Sequence, residues 1–186
     1  MPDAAARPVL DLAHAETRAD LIEAWNPYLV APIALQTAAY TMALLTPGPL
    51  GQPTTQAQHA YAALHQRRKE QLLARGGPHI RAVLGEAALR AGEPTVLHDQ
   101  LARLLALPPS ITVQVLPFRV NFQGRAPFML LRTPDGRSVY LEGDSEALET
   151  APAVVRQFRE RMDCLTARAL SPAASLDFIR GLAERA

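Results

Sequence analysis

The stretch HIRAVLGEAALRAGEPTVLHDQLARLLALPPSITVQVLPF, residues 79–118, decides the fold. Its first seven residues place Ile80, Ala82 and Leu84 on one face at the two-residue period of a strand. EAALRAG then supplies one or two helical turns ended by a glycine, and Thr95 is placed to cap a helix carrying Leu97, Leu101, Leu104 and Leu105 inward. Pro108-Pro109 stops that helix, and ITVQVLPF is rich in branched residues that suit a strand. Strand, helical crossover and strand read as a right-handed βαβ unit with its two strands parallel.

Downstream, FMLLRT (128–133) and RSVYLE (137–142) flank Pro134-Asp135-Gly136, where proline presets the turn and glycine accepts a positive φ, so a hairpin is expected. A helix from Ala151 to Leu170 would align Val154, Val155, Phe158, Met162, Leu165 and Ala169, and Ser171-Pro172 opens a last helix. Upstream, residues 1–12 read as a flexible leader, and a helix is expected from Ala13 to Trp25, before Asn26-Pro27. IALQTAAYTMALL (33–45) repeats Leu35, Ala39, Met42 and Ala43 at helical spacing, and TPGPLGQP (46–53) is a loop. Thr54 or Thr55 caps a long helix to Arg75 with Ala57, Tyr61, Leu64 and Leu72 on its stripe, and Arg68 among them. The whole reads as α/β, with α+β the alternative. A small mixed sheet of about four strands, one βαβ unit and one hairpin, is covered by N- and C-terminal helices, as a single domain over residues 13–186.

Composition narrows the function. The 186 residues are 48% hydrophobic and 20% charged, enough for one core. Nineteen basic residues face 18 acidic ones for a net charge of +1, so no global field favours nucleic acid or a membrane surface. Lys69 is the only lysine, and the arginine, alanine and leucine bias suits a high-GC genome. The single cysteine, Cys164, excludes an internal disulfide, fits a reducing cytoplasm, and reads as a packing residue inside a helix. No apolar run approaches the roughly 18–20 residues of a membrane span, and Asp11, Glu16, Asp20 and Glu23 occupy the place of a signal peptide's apolar segment. His59 and His65 are six apart, and His14, His79 and His98 have no acidic or cysteine neighbour in ligand spacing, so no metal is expected. Neither Gly-x-Gly-x-x-Gly, a phosphate-loop lysine nor Gly-x-Ser-x-Gly occurs, and no cofactor is expected.

The chemistry-bearing candidates are few. If the hairpin's first strand lies antiparallel to the second strand of the βαβ unit, the strand ends bearing Glu86, Phe118-Arg119 and Glu142 share one edge, where open α/β sheets bind ligands. Glu86 and Glu142 would then be acid/base carboxylates. Equally, Glu86 and Arg90, four apart, can simply pair with each other. Arg68 on an apolar stripe must be paired, must snorkel, or must meet an anion. Gln114 either lines a pocket or faces water from an edge strand, and Trp25, Tyr28 and Tyr40 are candidates for a cluster around Pro27 and Pro32.

Taken in order, LVAPIALQTAAYTMALL, GEAALRAG, DQLARLLALP, ITVQVLPF, APFMLLRTPDGRSVYLEG and ALSPAASLDFIRGLAE resemble the effector domain found behind Xre-type helix-turn-helix DNA-binding domains in actinobacterial regulators, over about residues 17–183. That family's label is antitoxin-like, and its members often have a small acidic or basic partner protein encoded nearby. The resemblance places the family's Leu-Gln-Thr on Leu35, Gln36 and Thr37, its tyrosine on Tyr40, its Glu-x-x-Leu-Arg on Glu86, Leu89 and Arg90, a glutamine on Gln100 and its Tyr-Leu-Glu on Tyr140 to Glu142. Ile33 and Ala34 stand where a glycine and a leucine are usual, and Lys69, Glu70 and Gln71 blur the arginine-glutamine signature of the long helix. Met1 falls close to where the effector domain begins, so the expectation is a module without the DNA-binding half, the alternative being a fragment from which that half has been removed.

The expectation is therefore a stand-alone effector module that binds a small molecule or a small partner protein in transcriptional regulation, without direct nucleic-acid or membrane contact, in the cytoplasm and open to homodimer formation. Trp25, Gln36, Thr37, Tyr40, Arg68, Arg90 and Gln114 are its candidate binding residues. The alternative is an enzyme of actinobacterial specialised metabolism using Glu86 and Glu142 in the same pocket.

Overall fold

A computed structural model describes residues 7–44, 55–74, 77–120, 126–142 and 146–185. Six strands form one open mixed sheet, β1 Leu21–Asn26, β2 His79–Gly85, β3 Ile111–Leu116, β4 Phe128–Thr133, β5 Gly136–Leu141 and β6 Ala147–Glu149, in the order β3-β2-β1-β4-β5-β6. Six helices accompany them: α1 Arg7–Arg18, α2 Ala38–Leu44, α3 Thr55–Leu73, α4 Pro94–Leu105, α5 Pro152–Arg168 and α6 Pro172–Ala183. The βαβ reading holds, with β2 and β3 parallel neighbours joined through α4. The hairpin holds too, Thr133 opposing Gly136 at φ +139° around Pro134-Asp135.

Two strands escape the sequence reading. LIEAWN, expected as the end of a helix, is β1 at the centre of the sheet, parallel to β2 and antiparallel to β4. Only Ile22 in it is β-branched, so local preference is silent, and burial on both faces between two partners decides the outcome. The first helix therefore spans Arg7–Arg18 in place of 13–25, and Leu12, read as leader, is buried. The short β6 pairs with β5 at the far edge. Because β1 occupies the middle, β4 lies against β1 and not against β3 as expected. The consequence for strand direction is the same: β5 runs parallel to β1, β2 and β3, and their carboxyl ends share one edge.

Alternation along the strands separates two cores. Ile22, Ala24, Ile80, Ala82, Leu84, Val113, Val115, Met129 and Leu131 pack with α1, α4 and α6 residues such as Leu12, Leu101 and Ile179. Trp25, Val83, Leu116, Phe128, Leu130 and Val139 face Val155, Met162 and Leu165 of α5 on the other side. Gly85 ends β2 where a Cβ would come within 2.5 Å of the Pro27 carbonyl, so the β1 and β2 exits are in backbone contact.

Several local expectations shift. The helix expected over 33–45 is a 3-10 turn at Ile33–Leu35, then extended Gln36, then α2, because the Gln36 and Thr37 side chains bond to nearby backbone and hydroxyl groups instead of continuing the spiral. Residues 45–54, with the expected 46–53 loop, lie outside the described residues, as does Arg75. On α3, Leu72 is buried and Arg68 partly buried as their stripe predicts, Lys69 is partly buried beside them, and Leu64 is exposed. Pro94, with Glu93 before it, starts α4, so Thr95 is not its cap. Ser171 does cap α6, its hydroxyl accepting from the Ala174 amide at 3.2 Å. Cys164 is exposed, not packed.

Candidate functional site

The shared carboxyl edge begins with Asn26, the last residue of β1. Its side-chain oxygen accepts from the amides of Tyr28 and Leu29 at 3.0 and 2.9 Å, a local turn suited to an asparagine before proline. That leaves its Nδ2 pointing across to Glu142, whose Oε2 accepts at 3.2 Å. Glu142 follows β5, and Tyr140 two residues earlier points to the same face of the sheet. Asn26, Tyr140 and Glu142, with Gln36, His65, Arg68, Met129 and Glu146, line a cleft of about 220 Å³.

Charge in the cleft is uneven. Burial raises the Glu142 carboxyl above the usual carboxylate range; neighbouring Glu146 pushes the same way, while Arg68 opposes. Burial likewise raises the Tyr140 phenol, reinforced by Glu146, so it stays protonated. His65 is driven the other way, burial and then Arg68 disfavouring its imidazolium. Arg68 itself is already committed: its Nε donates to Glu16 Oε2 at 2.6 Å, and Glu16 is 1% exposed. The cleft thus offers the partly buried Glu142 and the exposed Glu146 as acceptors, with the protonated Tyr140 phenol directed to Glu146.

Glu86 stands on the same edge but is not part of the cleft. Its Oε1 accepts from Arg90 Nε at 2.8 Å and its Oε2 from the Phe118 amide at 3.0 Å, so it fastens the β2 and β3 exits together. Two strands, β1 and β4, separate β2 from β5. Arg90, besides holding Glu86, lies 6.0 Å from the Phe178 ring centroid.

The remaining candidates are placed by internal bonds. Gln36 donates to the Val30 carbonyl at 2.7 Å and accepts from Thr41 at 3.0 Å, and its own carbonyl accepts from Lys69 at 2.6 Å. Thr37 Oγ1 accepts from the Tyr40 amide at 3.1 Å, and the Tyr40 hydroxyl accepts from the Val30 amide at 3.0 Å. Fully buried Gln100 clamps this loop from α4, donating to the Leu35 carbonyl and accepting from the Thr37 amide, both at 2.8 Å. Of these residues Gln36 lines the cleft, and the others hold the loop that carries it. Gln114 donates to the Leu170 carbonyl at 2.8 Å, tying edge strand β3 to the α5–α6 junction. Trp25 is buried in the α5 core, Tyr40 in the opposite one, and Tyr28 is 62% exposed, so the three do not cluster.

A family model described as a domain of unknown function, DUF5753, matches residues 9–181. The chain belongs to the DUF5753 family. No curated protein and no solved structure matches it. The DUF5753 match runs from within α1 to within α6, so every strand and the whole Glu142 cleft fall inside it. Among the described residues of this DUF5753 chain no group of three His, Cys, Asp or Glu is placed to hold a metal ion, and no helix is long and apolar enough to cross a membrane.

Asn26, His65, Met129 and Glu146 in the cleft, and Glu16 behind Arg68, were not singled out by the sequence reading. Asn26-Pro27 was legible as a turn but not as the anchor of a carboxylate 116 residues away. Glu16 carried a usable signal: it is four residues after Leu12, hence on the inward face of α1, and a charge there needs an opposite partner such as Arg68.

Proposed function

We propose that this chain is an antitoxin-like effector module that binds a small molecule at the Glu142 cleft and acts in transcriptional regulation without reading DNA itself. The observation that carries this reading is the convergence of Asn26, Tyr140, Glu142 and Glu146 on one cleft at the carboxyl edge of the sheet, where open α/β sheets hold ligands. The regulatory context rests on the resemblance to effector domains of Xre-type regulators. The carboxylates of Glu142 and Glu146 suit a ligand with an amine, amide or hydroxyl head group, because Arg68 is neutralised by Glu16.

Exposed Leu29 lines the cleft, and Tyr28 beside it is exposed too, so an apolar body can extend outward from the head group. A small partner protein is the competing occupant of the same rim. The enzyme reading retains one specific observation, the raised Glu142 carboxyl, which suits a general acid; Glu86, bonded at both oxygens, cannot be its partner without breaking those bonds.

Native mass spectrometry of the protein isolated gently from its own host tests the proposal. The expected result is a retained mass of small-molecule size that is absent from the Glu142→Ala variant prepared in parallel. A protein-sized adduct, a bare chain, or a small adduct equally retained by the variant would overturn it.

A further inference from the structure

At the other end of the strands lies a second cavity, of about 760 Å³, among α1, the start of β5, β6 and the start of α5. Its position on β5 is separated from Glu142 by five residues, roughly 16 Å along a strand. Arg137 enters it from β5, and Arg156 and Arg159 enter from α5, three apart and therefore on one helical face. Ala15, Leu148 and Val155 supply apolar wall between the charges.

The three guanidiniums are under-neutralised. Among the described residues none of them has a carboxylate within 4.0 Å, whereas Arg18 in the same wall is paired with Asp135. Asp11 also lines the cavity. In the hairpin register Arg137 lies directly opposite Arg132, a like-charge pairing that disfavours the sheet. Arg132 is relieved by Asp20 at 2.6 Å, and Arg137 only feels that carboxylate at longer range. Arg137 and Arg159 also line an adjoining cavity of about 300 Å³ with Glu23, Arg81, Arg132 and Asp163, where Arg81 is paired with Glu23 and Arg132 with Asp20. The amino-terminal end of α5 adds positive charge.

We infer that this cavity is a second binding site, for a small organic anion in which a carboxylate or phosphate group meets Arg137, Arg156 and Arg159 while an apolar body rests on Leu148 and Val155. The volume is that of a small-molecule site, and guanidinium forks match oxyanions two bonds at a time. The site is independent of the Glu142 cleft.

Nuclear magnetic resonance titration tests it with four probes: phenyl phosphate, benzoate, inorganic phosphate and benzyl alcohol. Phenyl phosphate or benzoate is expected to shift the Nε–Hε signals of Arg137 and Arg159 and the amides of Leu148 and Val155, the stronger of the two identifying the head group. Inorganic phosphate is expected to bind more weakly for want of the ring, and benzyl alcohol not to shift the arginines. The double variant Arg137→Ala/Arg159→Ala should lose at least tenfold in affinity while unfolding at the same or a higher temperature, since it removes the Arg132–Arg137 opposition. Glu142→Gln should bind the aryl anion as the wild type does. Absence of arginine shifts with both aryl anions, equal shifts with benzyl alcohol, or unchanged affinity in the double variant would overturn the inference.

Discussion

Glu16 on α1 and Arg68 on α3 form a short ion pair beneath the Glu142 cleft, 2.6 Å from Oε2 to Nε, with Glu16 almost wholly out of water and its Oε1 without a hydrogen-bond partner among the described residues. The pair joins the first helix to the long third one and fixes the cleft's cation in place.

Removing one partner should therefore be far worse than removing both. Arg68→Met leaves a buried carboxylate unpaired and is expected to cost about 3–5 kcal/mol. Glu16→Leu combined with Arg68→Met should return to within about 1 kcal/mol of the wild type, because no buried charge is left uncompensated. Urea unfolding of the single and double variants measures both, and equal losses would contradict the pairing.

Glu142 predicts a pH signature. Its carboxyl is raised in the folded state, so the fold binds a proton there more readily than the unfolded chain does, and stability from this group declines as pH rises from the unfolded toward the folded value. Glu142→Gln keeps an oxygen for Asn26 and removes the charge. The variant should melt higher than the wild type at neutral pH, and the difference should vanish as pH falls below the ordinary carboxylate range. Thermal melts across pH 3–8 check this, and a difference independent of pH would refute it.

Gln100→Ala strips two buried backbone groups, the Leu35 carbonyl and the Thr37 amide, of their partners. The expected loss is about 2–4 kcal/mol, with hydrogen exchange at Thr37 accelerating beyond the global change.

Gly85→Ala puts a methyl group against Pro27 backbone that cannot rotate away. A loss of about 1–3 kcal/mol or more is expected in urea unfolding. Gly92→Ala, by contrast, tests only backbone strain, as nothing lies within 4 Å of its Cβ position but its φ is +134°.

Much of this architecture was legible because its signals are local. The alternation of Ile80, Ala82 and Leu84, the proline stop after α4, and the Pro134-Asp135-Gly136 turn each specify their element without knowledge of the rest. LIEAWN was not legible, since one β-branched residue between a helix and Asn26-Pro27 says nothing until two flanking strands claim its backbone. The three-residue β6 is likewise made by pairing alone. For the cleft, the sequence placed Glu142 at the correct edge and flagged Arg68 as a charge needing a partner. It did not reveal that Asn26 reaches Glu142, that Glu16 takes Arg68, or that Gln36, Thr37 and Tyr40 hold a loop together, because each depends on which elements become neighbours.

The central claim, a ligand held at the carboxyl edge by Glu142, is tested most directly by a crystal structure of the protein isolated from its host with its retained molecule. The account predicts density in the cleft within hydrogen-bond distance of Glu142 or Glu146 and against Leu29. A retained molecule seated elsewhere, with only water between Asn26, Tyr140 and Glu142, would contradict it.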